Sequence, residues 1–239
     1  MVDHAFADTR LARLYDAMNP WAPCDDFYLG LVRGAGSVLD VGCGTGALLI
    51  RAREEGHPGR LVGLDPAAGM LAVARERAAS GVEWVAGTLA SARVTGPFDL
   101  VLMNGHAFQV WVDDDEIRRS LAAVRELLGA GGRFAFETRN PAVRAWESWG
   151  ASEVAGVRVA HEVVGDFDGR TVTFTTTFEA PGWAAPELSR STLRFLAPGE
   201  LDGFLGEAGL VVESRFGDFA GAPFDAATSP EIVSVCRVR

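Results

Sequence analysis

Residues 37–46 read SVLDVGCGTG: a short apolar run ends in an acid and then in three glycines at alternate positions. Such a segment fits a buried strand running into a tight turn, because glycine reaches backbone angles closed to other residues and allows close approach of backbone N–H groups. In open α/β sheets the loop after the first strand is the usual ligand cradle, near the point where strand order reverses. If this is that loop, the rest of the chain has to supply parallel strands and helices to cover them.

It does so. RLVGLD, VEWVAG, FDLVLMN and GRFAFET read as short strands, with helices near GALLIRAREEG, opened by Pro66, and within DDDEIRRSLAAVRELL. Short apolar strands separated by helices imply a mainly parallel sheet covered on both faces. Ahead of the sheet, residues 8–18 place Leu11, Leu14, Tyr15 and Met18 at helical spacing behind an Asp8 cap, and a second short helix covers DDFYLGLVR. Residues 154–178 then form two runs rich in Val, Thr and Phe around the turn DFDG, and SRSTLRFL adds a third strand of the same kind. This is a small antiparallel layer inserted between the fifth and sixth strands of the main sheet. A helix near PGELDGFLGEAG and the runs LVVESRFGD and EIVSVCRVR return the chain to that sheet. The reading is one domain over 1–239: N-terminal helices capping the site (1–36), a cofactor-binding core (37–150), an antiparallel insertion or lid (151–197), and a final helix and strands (198–239).

Composition excludes several classes. With 239 residues and 48% hydrophobic content the chain can bury a full core. Its formal net charge of −10 argues against broad nucleic-acid binding, which needs a basic surface. There is no lysine, which removes Schiff-base chemistry and the lysine of a P-loop. Cys24, Cys43 and Cys236 are scattered without a CxxC pair and read as reduced thiols. The acidic, polar start and the lack of a membrane-length apolar run lead us to expect a cytoplasmic protein. The DDDE run at 113–116 reads as a helix cap, so no metal is expected. Oligomeric state is left open.

The glycines are spaced G-x-G-x-G, whereas the dinucleotide fingerprint is G-x-G-x-x-G. Asp40 stands two residues before the first of them, unwelcome beside a pyrophosphate but suited to an ammonium group. At the expected end of the second strand, Asp65 is placed to accept hydrogen bonds from both hydroxyls of a ribose. S-adenosylmethionine has both a ribose and a cationic amino-acid end. Taken with VLDVGCGTG, GLDPAAGML, VEWVAGTLA, FDLVLMNGHAFQ and LLGAGGRFAFETRNP, in order and covering most of residues 37–141, the chain resembles class I S-adenosylmethionine-dependent methyltransferases of the bacterial small-molecule branch.

That resemblance implies an α/β, Rossmann-like, doubly wound seven-stranded sheet with its last strand antiparallel. It also implies that Gly42, Cys43 and Gly44 face the methionine part and that Asp40 orients its amino group directly or through water. Asp65 would hold the ribose, with Pro66 and Met70 against the adenine, and Gly87, Thr88 and Leu89 would meet the adenine ring. Relatives often carry Asp where this chain has Thr88, so a Thr hydroxyl or the backbone would have to serve the adenine amino group. Asn104 and Gly105 would contact the methionine moiety by backbone, and Tyr15 would help close the pocket.

Methyl transfer is an in-line displacement, so the protein must hold the nucleophile close and collinear and exclude water. A base is needed only if the acceptor sheds a proton. His106, just beyond the fourth strand, is the candidate base; the alternative is a histidine that anchors its loop. Gln109 is a candidate for hydrogen bonding the substrate, while Glu137, Arg139 and Asn140 either face the acceptor or anchor their loop. His161 reads as surface or packing, and the spacing of Trp146 and Trp149 favours one helix face. The expected activity is methylation of a small-molecule acceptor at O, N or C, releasing S-adenosylhomocysteine. The alternative is a cofactor-binding module, isomerase or cyclase on the same fold. A nicotinamide-dependent dehydrogenase is disfavoured by the glycine spacing and by Asp40.

Overall fold

The computed structural model describes residues 2–77 and 81–239. In chain order its strands are β1 (Ser37–Val41), β2 (Arg60–Asp65), β3 (Val82–Ala86), β4 (Phe98–Met103), β5 (Leu128–Arg139), β6 (Ala151–Val154), β7 (Val157–Val163), β8 (Thr171–Glu179), β9 (Glu187–Arg194), β10 (Leu210–Phe216) and β11 (Glu231–Val238). The main sheet has the order β10-β11-β5-β4-β1-β2-β3, and β6 to β9 form a separate four-stranded sheet. Strands β1 to β5 pair in parallel, whereas β11 runs antiparallel to both β5 and β10. The seven-stranded expectation holds, as does the insertion before the sixth strand of the main sheet.

The helices are α1 (His4–Ala7), α2 (Thr9–Ala12), α3 (Tyr15–Met18), α4 (Pro23–Arg33), α5 (Ala47–Glu54), α6 (Ala68–Arg77), α7 (Asp114–Leu127) and α8 (Pro198–Glu207). The central strands read as continuous apolar runs because both of their faces are covered. On one face Leu39, Val62, Leu64, Val101, Phe134 and Phe136 pack with residues of α7 and α8 such as Leu121 and Leu201. On the other, Val38, Leu61, Leu100, Leu102 and Ala135 pack with Tyr28, Leu29 and Leu49 from α4 and α5. The DDDE run does cap α7: the Asp113 carboxylate accepts the N–H groups of Asp115 and Glu116 at 2.8 and 3.2 Å.

Four local expectations are corrected. Residues 8–18 make two short helices rather than one, although Asp8 is a cap, accepting the N–H groups of Arg10 and Leu11 at 2.8 and 3.1 Å. Helix α6 begins at Ala68 and not at Pro66, because the Asp65 carboxylate first takes the Ala67 N–H at 2.7 Å and turns the chain. Strand β6 is an addition: Ala155 and Gly156, at φ 51° and 76°, fold an apparently continuous run back on itself. Trp146 and Trp149 do not share a helix face; around a 3-10 turn (Ala145–Ser148), Trp146 is buried against Val172 and Phe195, and Trp149 meets Phe174 and His161.

Beneath the glycine loop lies the indole of Trp84, on β3. A Cβ built on Gly46 would collide with its ring, and one on Gly63 would stand 2.5 Å from its Cζ3 and 2.8 Å from Cys43 Sγ. Gly63→Ala therefore forces overpacking and should lower the free energy of unfolding by about 1–3 kcal/mol. Gly203→Ala, on the exposed side of α8 where a Cβ meets nothing within 4 Å, should raise it by about 0.5–1 kcal/mol. Urea unfolding of both variants checks this; equal stability would contradict the packing account.

Candidate active site

Strand order reverses between β1 and β4, and the loops leaving these two strands define the site. Asp40, in register with Gly63 on one side and Leu102 on the other, is only 1% exposed. Its Oδ1 has no hydrogen-bond partner among the described residues. Burial, reinforced by the Asp65 and Glu137 carboxylates, pushes its pKa well above the usual range. A buried carboxylate in this setting either keeps its proton or waits for a cation.

Four N–H groups of the loop that follows are taken up within the protein. Gly42 and Cys43 both donate to the Leu64 carbonyl, at 2.7 and 3.2 Å, and Gly46 donates to the Cys43 carbonyl at 2.9 Å. The Gly44 N–H goes to Asp65 Oδ2 at 2.8 Å. A pyrophosphate cradle depends on such groups pointing at the ligand, and these four do not, in keeping with the expectation that the loop does not serve a dinucleotide. The glycines serve three separate ends. Gly42 (φ 79°) leaves room for Ala107, whose Cβ would be 2.8 Å from an added Cβ, and Gly46 clears Trp84. At Gly44 (φ 55°) an added Cβ would meet nothing within 4 Å, which leaves an open edge beside Asp40 and Asp65 for a ligand.

Asp65 is held by Gly44 and Ala67, and burial raises its pKa despite those two bonds. Gly87 (φ 133°) donates to the Asp65 carbonyl at 3.0 Å, bringing the start of the next loop alongside. Thr88 is turned to its own loop: Ser91 Oγ accepts its N–H at 2.9 Å and lies 3.1 Å from its hydroxyl. Pro66 and Thr88 are exposed, whereas Met70 packs inward with Ala12, Ala67 and Val73 and Leu89 packs on the main core. The residues expected around an adenine are thus divided between an open rim and the interior. Asn104 and the exposed Gly105 (φ 63°) leave β4 beneath Tyr15, whose hydroxyl is 3.3 Å from where a Gly105 Cβ would stand. Burial, helped by Asp16, Glu137 and Asp65, pushes the Tyr15 phenol up to about 12.

Several functional contacts were not legible in the pattern. Asp16, beside Tyr15, accepts the Thr45 hydroxyl at 2.5 Å and pairs with Arg77, docking α3 onto the glycine loop and α6. His106 adopts φ 61°, a strained conformation for a residue with a side chain. Two carboxylates hold it there: its N–H donates to Glu137 Oε1 at 2.7 Å, and its Nε2 lies 3.1 and 3.0 Å from the two oxygens of Glu231. Glu137 is itself buried and also accepts the Tyr28 hydroxyl; burial raises its pKa, opposed by His106 and these bonds. His106 Nδ1 makes no hydrogen bond among the described residues. Asn140 is an anchor, donating to the carbonyls of Ala226 and Ser229 at 3.0 and 2.8 Å. Gln109, fully buried, donates to the Arg194 carbonyl at 2.8 Å and accepts from Arg139, so it joins the two sheets.

The unpartnered Asp40 has a consequence for pH. Unfolded, it titrates near the ordinary carboxylate value of about 4; folded, it keeps its proton to higher pH. The folded state binds more protons between those two values, so stability of the cofactor-free protein falls as pH rises through that window and then levels off. Asp65 and Glu137 shift in the same direction. Asp40→Asn should therefore flatten the fall and leave the protein more stable than wild type at the alkaline end of the window. Urea midpoints across pH test this, and curves that run parallel would contradict it.

Comparison with known proteins places this geometry. Residues 38–132 match the family described as "Methyltransferase domain". The 2-phytyl-1,4-naphtoquinone methyltransferase of Thermosynechococcus vestitus is 32% identical over 156 residues, which is 59% of this chain and 68% of that protein. A second curated relative, from Geobacillus sp. (strain WCH70), is 29% identical over 111 residues, 45% of this chain, and is matched over only 44% of its length. Among solved structures, the CcbJ methyltransferase from Streptomyces caelestis superposes with a TM-score of 0.81 at 24% identity, covering 98% of each chain. An S-adenosylmethionine-dependent methyltransferase from Clostridium acetobutylicum gives 0.80 at 15% identity, covering 96% of this chain and 98% of that one. The buried carboxylate oxygen without a partner and the open edge at Gly44 are compatible with the cofactor of that family, and the chain belongs to the S-adenosylmethionine-dependent methyltransferases.

Proposed function

We propose that this protein methylates a small-molecule acceptor at oxygen, nitrogen or carbon by in-line transfer. The observation that carries the reading is Asp40, a buried carboxylate next to an open loop edge and unmatched by any cation of the protein among the described residues. When bound, S-adenosylmethionine supplies an electrophilic methyl carbon on a sulfonium. Asp40 meets its ammonium group, Asp65 takes the ribose hydroxyls, Pro66, Gly87 and Thr88 border the adenine, and Gly42, Cys43, Gly44, Asn104 and Gly105 lie along the methionine part. Tyr15 and α3 close over this end and exclude water.

His106 Nδ1 accepts the proton that an O–H or N–H acceptor sheds, and Glu231 steadies the imidazolium that results. The inserted sheet forms the far wall of the acceptor space. A cytoplasmic setting accords with the three free cysteines, and no helix among the described residues is long and apolar enough to cross a membrane.

Incubating the protein with cell extract and deuteromethyl-labelled S-adenosylmethionine should yield a metabolite carrying the label, read by mass spectrometry. Uptake of the cofactor with no labelled product from any extract would favour the binding-module reading instead. With that acceptor in hand, His106→Gln should lower kcat by about 10²–10⁴ while KM moves little. Undiminished turnover across pH would reject the base assignment.

A further inference from the structure

Arg139 closes β5, directly opposite Glu231 in the β5–β11 register, and is half-buried. Gln109 Oε1 accepts both its backbone N–H and its Nη1, at 3.3 and 3.1 Å, which fixes one edge of the guanidinium between the core and the inserted sheet. The Trp149 indole lies 5.5 Å from its central carbon. Burial lowers its pKa, opposed through space by the Glu231 and Glu137 carboxylates. Both have other partners: Glu231 is bound to the His106 ring, and Glu137 to Tyr28 and the His106 backbone. Among the described residues no Asp or Glu forms an ion pair with Arg139.

The surface continues onto the inner face of the inserted sheet. Trp149 packs edge-to-face on Phe174 at 4.8 Å, and His161 stands 6.5 Å from Trp149 and 5.9 Å from Phe174. His161 Nδ1 is 3.0 Å from the buried Thr176 hydroxyl, its register partner on β8, which leaves Nε2 without a partner among the described residues. Trp149, Phe174 and His161 are half-buried, while Val159 and Phe178 on the same face are fully covered by Leu11 and its neighbours.

We propose that Arg139, Trp149, Phe174 and His161 form the acceptor-recognition surface, and that it takes a small planar ring compound carrying a carboxylate. The inference rests on the methyl-transfer reading and names the substrate class for it. A half-buried guanidinium that no carboxylate of the described residues contacts as an ion pair has its outer edge open to an anion, and its planar fork suits a carboxylate. A phosphate dianion fits less well, because Glu137 and Glu231 stand close by and one arginine faces them alone. The three rings supply a wall for a flat apolar body, and His161 Nε2 supplies one polar contact to it. Glu231, opposite Arg139 in the register, holds the His106 ring, so an anion seated on Arg139 lies one strand spacing, about 4.8 Å, from the proposed base's anchor, which suits a small acceptor.

The test uses the full chain and two titrations. S-adenosylhomocysteine is titrated first, by calorimetry; benzoate and its 2- and 4-hydroxy derivatives are then titrated into the loaded protein beside the corresponding benzamides and phenyl phosphate. Wild type should bind at least one benzoate about tenfold or more tighter than its amide. Arg139→Gln should abolish that preference, and Arg139→Lys should retain part of it. Trp149→Leu should weaken acid and amide alike. S-adenosylhomocysteine affinity should be unchanged in all three variants, which also shows that they are folded. The proposal is overturned if acid and amide bind equally, if none of the probes binds, if the preference survives in Arg139→Gln, or if phenyl phosphate binds tightest. Failure of S-adenosylhomocysteine to bind wild type is a different result, and it removes the methyl-transfer reading on which the proposal rests.

Discussion

A carboxyl group at the end of the central strand, buried and with one oxygen lacking any partner among the described residues, governs this molecule. Four backbone donors of the loop beside it are committed elsewhere: Gly42 and Cys43 to Leu64, Gly44 to Asp65, Gly46 to Cys43. Those bonds close the loop on itself and on β2, while Asp40 Oδ1 beside it has no hydrogen-bond partner among the described residues. Charge selects the ligand before shape does. An anion brought to this edge finds no free N–H among those four and a carboxylate in its way, whereas a cation relieves the cost of burying Asp40.

The second organising feature is mechanical. Residues 2–18 bind three parts of the protein together. Asp16 reaches Thr45 in the glycine loop and Arg77 on α6, and the start of α6 is pressed so closely that a Cβ at Gly69 would stand 2.6 Å from the Ala7 carbonyl. Towards the inserted sheet, Ser191 donates to Asp3 at 2.5 Å, the Ala5 N–H to Ser189 Oγ at 3.0 Å, and Leu11 packs on Val157, Val159 and Phe178. Gln109 makes the matching link on the other side, between β5 and β9. The cofactor loop and the wall proposed for the acceptor are therefore joined through the N-terminal segment and not only through the sheet. Helices of four residues have little stability alone, so their order depends on these contacts.

How far the sequence could be read follows from which interactions are local. The βα alternation and the Asp8 and Asp113 caps show in local pattern, and each appears in the structure as expected; the glycines also stand where expected, but what requires them, Ala107 and Trp84, lies far along the chain. The β6 turn was hidden because Ala155 sits where Gly, Asn or Asp would have signalled a left-handed residue. Glu231 was missed because its partner lies 125 residues away, joined to it only through sheet topology. Trp84 read as an ordinary strand residue, yet its ring explains two of the glycines. His161 read as surface or packing, because its neighbours Trp149 and Phe174 come from separate stretches of the chain. Pairing across strands, not periodicity, brings His106, Glu137 and Glu231 together.

The claim that Asp40 takes up a cationic aminoacyl group is tested most directly by proton release. Calorimetric titration with S-adenosylmethionine, in two buffers of different ionisation enthalpy and at a pH where Asp40 is still protonated, should show one molecule bound and a proton leaving the protein. Asp40→Asn should weaken uptake by about 3 kcal/mol or more and abolish the buffer dependence. Absence of binding by folded protein, or binding and proton release that are indifferent to residue 40, would contradict the account.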